Sequence, residues 1–509
     1  MVPVLVAIAL GLLLAYIWNK TRSKLTHIPG PTGLPILGNT LEVGSSFKLI
    51  CKMEEWARKY GDVFKFNIFG DEIVVVSGSA IGEVLVTKGS EFAGRPKYPW
   101  FEKLEGGETH LFMREYDPKL RFIRKLVHRG LRQYGEGVDR IESISVVEIS
   151  KCLDNIERED GADFDPFTYI HHAVSQVMNT MLTGEALSEG HPMLNKAIKL
   201  DKIDAELSTS YMLLTITDKI PLLDKMTFIP AIRKVKEYTQ ILDSLINFWT
   251  GFEATYDKNN MRGLYDVVYK AYLESESSEE GTKLSYTNVK YLMYELYLAG
   301  IITTNKTIYA FVHLMVTYPN IQKRIQSQID EVVSSQRKLT TEDRHKLPLL
   351  EATIHEVLRF TSIVPMTVHK TTKDTSVGGF AIPNDTQVWP IFTSNHHNAE
   401  YFIDPLTFNP DRFLEQDGSL SPPESRKMLM PFGAGTRNCI GEVFARMRLF
   451  LFTASLLQRF TLLQPTKGKF GIIDPKSEEY LKMTPCICPS YKIRAIPRAW
   501  GIYYPKKKT

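Results

Sequence analysis

Cysteine is scarce in this chain: five among 509 residues, an odd number, scattered at Cys51, Cys152, Cys439, Cys486 and Cys488. That argues against a disulfide framework and for a reducing compartment. Cys486 and Cys488 stand two apart with no second pair to complete a metal site, so a structural role is expected. An excess of one charge is missing too. Lys and Arg number 62 against 58 Asp and Glu, a formal net +4. So small a charge does not argue for nucleic acid, and neither an arginine-rich tract nor zinc-finger spacing occurs. Low complexity and internal repeats are absent. At 43% apolar and 24% charged residues, the chain reads as ordinary globular protein. Long apolar runs are also lacking, with one exception.

The exception is residues 2–18, an uncharged stretch that as a helix would extend roughly 25 Å, near the lower limit for crossing a bilayer. Lys20, Arg22 and Lys24 follow it, whereas no basic residue precedes it and no small-residue cleavage pattern ends it. An uncleaved single-pass anchor is expected, with the N-terminus outside and the body on the cytoplasmic face. Residues 19–39 read as a basic, Pro-rich linker stiffened by Pro29, Pro31 and Pro35. Residues 40–509 read as one large body.

In that body, residues 63–69 and 73–77 are β-branched and aromatic runs, and Gly70-Asp71 between them predicts a hairpin. Residues 286–317 form a long apolar stretch, with Ser285 as a cap and Pro319 just past its end. Further helices are expected over 349–360 and 443–460, and a short strand over 387–391. The fold class is therefore mainly α with a minor β part, behind one transmembrane helix.

The decisive segment runs Pro431-Phe432-Gly433-Ala434-Gly435-Thr436-Arg437-Asn438-Cys439-Ile440-Gly441-Glu442. Glycines permit φ > 0 and close backbone approach. A cysteine just before a helix gains from its dipole and free N–H groups, which favour the thiolate. Such a loop can present a deprotonated sulfur to a flat cofactor with nothing bulky between, and Arg437 is placed to meet a carboxylate. This segment resembles the haem-binding loop of the cytochrome P450 family, in which cysteine is the axial iron ligand. Three further matches follow the family's order. Glu356-Val357-Leu358-Arg359 puts an acid and a base on one helix face. Residues 405–413, ending Pro410-Asp411-Arg412-Phe413, resemble the family's Pro-Glu-Arg-Phe segment, with Asp411 in place of Glu. Residues 299–304, Ala-Gly-Ile-Ile-Thr-Thr, resemble its oxygen-binding motif.

The resemblance implies haem b held by Cys439, with Phe432, Gly433 and Gly441 lining the loop and Arg437, Arg124 and His369 anchoring the propionates. Glu356, Arg359 and Arg412 would form a buried structural triad. Ala299 and Gly300 would leave room for dioxygen, and Thr303 would handle oxygen and protons. The activity implied is a monooxygenase acting on an apolar steroid, fatty acid or xenobiotic at the endoplasmic reticulum membrane. Candidate substrate contacts are Leu296, Ala299 and residues 364–366. NADPH would supply electrons through a membrane-bound NADPH–cytochrome P450 reductase, with cytochrome b5 as a second candidate donor. Arg121, Lys125, His128, Arg129 and Arg132, with Arg446 and Arg448 beyond the cysteine, suggest a basic docking face. The 211–230 stretch, including Ile220-Pro221, would border the substrate entrance and dip into lipid.

Two positions depart from the family pattern. Ile302 stands where the family carries an acid before the threonine, so the usual acid of the proton relay is missing. Leu120 stands where a tryptophan meets a propionate. A haem-thiolate isomerase or dehydratase acting on peroxides without a reductase is the first rival reading, and a non-catalytic haem and lipid binder the second.

Overall fold

A computed structural model describes residues 25–498 apart from 36, 134–135, 221–222, 224, 227, 276–280, 334–336, 482–485 and 487. The expected anchor at 2–18 and part of the linker lie outside these, as do Pro221 and the side chain of Arg132. Among the described residues no helix is long and apolar enough to cross a membrane.

The order begins with helix α1 (Ser46–Tyr60) and the hairpin β1 (Val63–Ile68) and β2 (Asp71–Val76). Helices α2 (Pro118–Gln133), α3 (Glu136–Glu157), α4 (Phe167–Thr183), α5 (Pro192–Thr209), α6 (Pro230–Thr250) and α7 (Leu264–Glu274) follow. Then come α8 (Tyr286–Thr317), α9 (Pro319–Val332) and α10 (Pro348–Thr361). The short strands β3 (His369–Lys370), β4 (Thr375–Val377), β5 (Phe380–Ile382) and β6 (Gln387–Pro390) precede α11 (Glu442–Arg459). The hairpin β7 (Phe460–Leu463) and β8 (Arg494–Pro497) comes last.

Helix α8 is the axis of the body. Ser285 caps it: its hydroxyl accepts from the Asn288 amide while the Asn288 side chain accepts from the Ser285 amide, satisfying two end donors. At 32 residues it extends roughly 48 Å. It packs against α4, α6, α10 and α11. Being enclosed from several sides, it buries Leu292, Ile301, Ile308, Phe311 and Met315 around much of its girth instead of along one stripe. Pro319, which lacks an N–H, opens α9 at the position where no intrahelical donor is needed.

The main sheet has the order β1-β2-β6-β3, with β2 and β6 parallel and the other pairs antiparallel. The hairpin turn is Phe69-Gly70, one residue earlier than Gly70-Asp71. Ile68 pairs with Asp71, and both central residues take positive φ, 48° and 87°, as a tight two-residue turn on twisted strands demands. The alternation in β1 puts Phe64 and Phe66 in the core, where Trp56 of α1 packs against both rings.

Candidate active site

Cys439 lies in the loop between Met430 and α11. Its amide donates to the Phe432 carbonyl at 2.9 Å, and the Gly433 amide to Met430 at 3.1 Å, closing a tight turn. Gly433 and Gly435 have φ of 67° and 64°. A Cβ on Gly435 would run into the Leu85 carbonyl oxygen, so the loop is pressed against the 83–87 segment. A Cβ on Gly433 or Gly441 would meet open space, which leaves that side of the loop clear for a flat group. The Phe432 ring carries the Arg446 guanidinium 4.6 Å above it. The Cys439 thiol is accessible yet recessed. Burial pushes its pKa up and Glu442 adds to the rise, while the Gly441 amide and the charges of Arg124 and Arg448 pull it back.

Four basic groups, far apart in sequence, surround this recess. Arg437 donates to the carbonyls of Ala93 at 2.7 Å and Arg114 at 2.6 Å. Arg95 donates to the carbonyls of Phe112 and Val368, and His369 bonds through Nδ1 to the Phe92 carbonyl at 2.7 Å. Arg124, from α2, donates to the Asn438 carbonyl beside Cys439. Burial and then the Arg437 charge hold Arg95 well below the guanidinium range. Burial and then the Arg124 charge bring Arg437 down to about 10. His369 is kept far below the imidazole range by burial and then by Arg95, so it is neutral. None of the three arginines forms a salt bridge among the described residues, and the nearby carboxylate Glu115 is taken by Lys370 at 2.7 Å. Mutually repelling guanidiniums held by carbonyls would be relieved by carboxylates arriving with a cofactor. A recessed thiol, a cleared loop face and this cationic rim fit haem b.

Helix α8 presents Ala299, which is accessible, and half-buried Thr303, whose hydroxyl donates to the Ala299 carbonyl at 2.8 Å. Gly300 faces elsewhere. A Cβ there would lie 2.5 Å from the Met178 sulfur of α4, so its smallness serves helix packing and not the cleft. Ile302 is buried at 6% exposure. Leu296 is buried and Val364 half-buried.

Glu356 and Arg359 are both wholly buried and pair through Nε and Nη2 at 2.7 and 2.8 Å. Arg412 reaches the same Glu356 oxygen at 3.1 Å, and Arg359 also donates to the His396 and Pro405 carbonyls. Asp411 turns outward to an exposed bridge with Arg324.

Sequence reasoning erred on Arg448. It is 4% exposed, so it cannot belong to a surface docking face. Residues two apart on a helix point to different sides, and that spacing by itself separates Arg448 from Arg446. Arg121, Lys125, His128 and Arg129 are exposed on α2. Two groups were missed. One is Arg95, hidden in a Gly-Arg-Pro loop. The other is the buried pair Glu105 and Glu295, neighbouring carboxyl groups that are both pushed up by burial. Glu295 precedes Ala299 and Thr303 by one and two turns on the same helix face.

The family model described as cytochrome P450 matches residues 28–486. The chain is 32% identical to cytochrome P450 2D3 of Rattus norvegicus over 498 residues, 96% of each chain. It is 34% identical to cytochrome P450 1A1 of Chelon auratus over 453 residues, 86% of this chain and 85% of that one. To cytochrome P450 2B19 of Mus musculus it is 31% identical over 508 residues, 98% and 99% of the two chains. The thiolate loop, the cationic rim and a family match along nearly its whole length place this chain in the cytochrome P450 family, as a haem b-binding monooxygenase.

Proposed function

We propose that the protein inserts one oxygen atom of dioxygen into an apolar steroid, fatty acid or xenobiotic, and that Cys439 would hold the haem iron as a thiolate. The observation that carries this is the accessible, recessed Cys439, surrounded by Arg95, Arg124 and Arg437, none of which has a carboxylate partner among the described residues. Bound haem supplies the oxygen-activating chemistry, and a thiolate ligand favours O–O cleavage. The chain's own part is fourfold. Arg95, Arg124, His369 and Arg437 would hold the propionates. Gly433 and Gly441 would leave the loop clear beside the haem, and the Phe432 ring, packed on Arg446, would flank it. Glu356, Arg359 and Arg412 lock the loop-bearing side. Thr303, whose hydroxyl rests on the Ala299 carbonyl, accepts and passes protons at its Oγ1. Leu296, Ala299 and residues 364–366 form an apolar wall for the substrate.

Electrons come from NADPH through a membrane-bound reductase, with cytochrome b5 as a second donor. The exposed Arg121, Lys125, His128 and Arg129 face on α2, beside Arg124, would steer an acidic partner toward the thiolate side. Residues 2–18 anchor the protein in the endoplasmic reticulum membrane, with the catalytic domain cytoplasmic. NADPH oxidation by the reconstituted pair, coupled to a hydroxylated product from a steroid and lipid panel, tests the reading. Stalled NADPH oxidation with every substrate would refute it.

Buried Ile302 favours a second reading, because no acid stands next to Thr303. In it, the protein rearranges or dehydrates hydroperoxides without a reductase. Turnover of a lipid hydroperoxide in the absence of NADPH separates the two.

A further inference from the structure

A buried ion pair joins α5 to α8 just past the oxygen motif. Lys306 Nζ of α8 lies 3.0 Å from Asp201 Oδ1 of α5, with the side chains 6% and 3% exposed. Behind the pair, His171 of α4 brings Nε2 to 3.7 Å from Asp201 Oδ2, and its Nδ1 meets the Ser175 hydroxyl at 3.1 Å. Burial brings His171 down to about 4, so it is neutral, and among the described residues Lys306 alone balances the Asp201 charge. Both Asp201 oxygens, Lys306 Nζ, His171 Nε2 and the two amide atoms of Asn305 are buried and have no hydrogen-bond partner among the described residues. An apolar pair of similar volume would hold α5 to α8 as well or better, so stability alone does not account for these charges. Buried polar atoms that lack protein partners are met by ordered water, which makes this seam a wet one.

The seam lies where the acid beside Thr303 is missing. Successive residues of an α-helix turn by about 100° and rise by about 1.5 Å, so Lys306 follows Ile302 by about 6 Å and points about 40° from it, on the Thr303 side. The Thr307 hydroxyl, which donates to the Thr303 carbonyl at 2.8 Å, continues the polar strip. We propose that Asp201, held by Lys306, is the carboxylate of the proton relay to Thr303, acting from α5 through ordered water instead of from position 302. The inference rests on the monooxygenase reading. Each transfer moves one proton and no electron. A hydronium ion entering the seam protonates Asp201, Asp201 gives that proton to the water beside Thr303, Thr303 Oγ1 passes it on, and the carboxylate is restored. Lys306 keeps its charge throughout and is a positioning residue. Asp204, one turn along α5 from Asp201, is half-buried and opens the seam toward solvent.

The test compares the haem-loaded parent with a variant carrying Asp201→Asn and Lys306→Met together, since removing one charge would strand the other. The first readout is the infrared C–O stretching frequency of the reduced protein under carbon monoxide. It should move in the variant, because charges on the Thr303 side set the field there. The second is turnover with NADPH and reductase. A smaller share of the electrons should reach product and a larger share hydrogen peroxide, and adding Ile302→Glu should return the product share. An unmoved C–O frequency or an unchanged product share would overturn the proposal. A merely structural role would lower thermal stability and product yield with no rescue by Ile302→Glu, and that result would overturn it too. If the paired variant does not take up haem, the parent decides: Ile302→Glu added to it should leave the product share unchanged, because the relay is already served, whereas a gain would overturn the proposal. A parent that forms no product under NADPH sinks the monooxygenase reading alone, and the C–O frequency then decides this inference.

Discussion

Replacing Glu356 with glutamine tests the buried triad where its geometry is most demanding. Glu356 accepts from Arg359 Nε and Nη2, from Arg412 Nε and from the Asn409 amide, with all four distances between 2.7 and 3.1 Å. Arg359 is 0% exposed, and its Nη1 keeps the His396 and Pro405 carbonyls. Glutamine keeps one acceptor oxygen but turns the other into an NH2 donor facing the guanidiniums, so at least one of the three charge-assisted bonds is lost and the buried Arg359 and Arg412 are left without a counter-charge. Such a break costs about 3–5 kcal/mol, a large share of the roughly 5–15 kcal/mol that holds a folded protein together. The control is Asp411→Asn. Asp411 pairs with Arg324 at 2.6 Å, but the two side chains are 49% and 48% exposed. Screening by solvent limits that loss to about 0–1 kcal/mol. The assay is urea denaturation of the haem-loaded protein, followed by far-ultraviolet circular dichroism and by the haem spectrum. If Glu356→Gln cost no more than Asp411→Asn, the triad would not be what fixes this side of the fold.

Three further outcomes are expected. Gly435→Ala places a side chain at positive φ against the Leu85 carbonyl and should abolish haem incorporation in expressed protein, measured as the ratio of haem to chain. Arg95→Met and Arg437→Met should each weaken haem retention by about 10–100-fold in a haem-transfer assay, since each removes a charged hydrogen bond worth about 1.5–3 kcal/mol; unchanged retention in both would reject propionate anchoring by this rim. The Glu105–Glu295 pair predicts a pH effect. Burial raises Glu295 to about 7, so the folded state keeps a proton that the unfolded state loses in the ordinary carboxylate range. The stability tied to that proton is full below that range and lost as pH rises through the raised value. Stability should therefore fall between about pH 5 and pH 8, and Glu295→Gln should flatten the decline in denaturation curves; equal slopes would refute the raised Glu295.

Local signals carried much of the fold into view. Ser285 and Pro319 bracket α8 because a hydroxyl cap and a missing N–H act within a few residues of themselves. The expected 349–360 helix is seen as Pro348–Thr361, for the same reason at Pro348. The hairpin was legible, while its turn moved by one residue because strand pairing, not the Gly-Asp pair, decides which residues take positive φ. The cysteine loop announced itself through glycine spacing. What stayed hidden was made by distant parts of the chain. The Arg437 side chain meets the Ala93 carbonyl across 344 residues, and nothing in the local sequence around Arg95 marks it as part of the same rim. Gly300 looked like room for a ligand, because a sequence does not say which way a missing side chain would point. Arg448 looked like surface charge because composition alone ranks arginine as exposed.

The central claim is that Cys439 ligates haem as a thiolate. Reduced protein under carbon monoxide should show the red-shifted Soret band of thiolate ligation, and Cys439→Ser should lose that band while keeping its fold. A parent protein without the band, or a Cys439→Ser variant that retains it, would contradict the account.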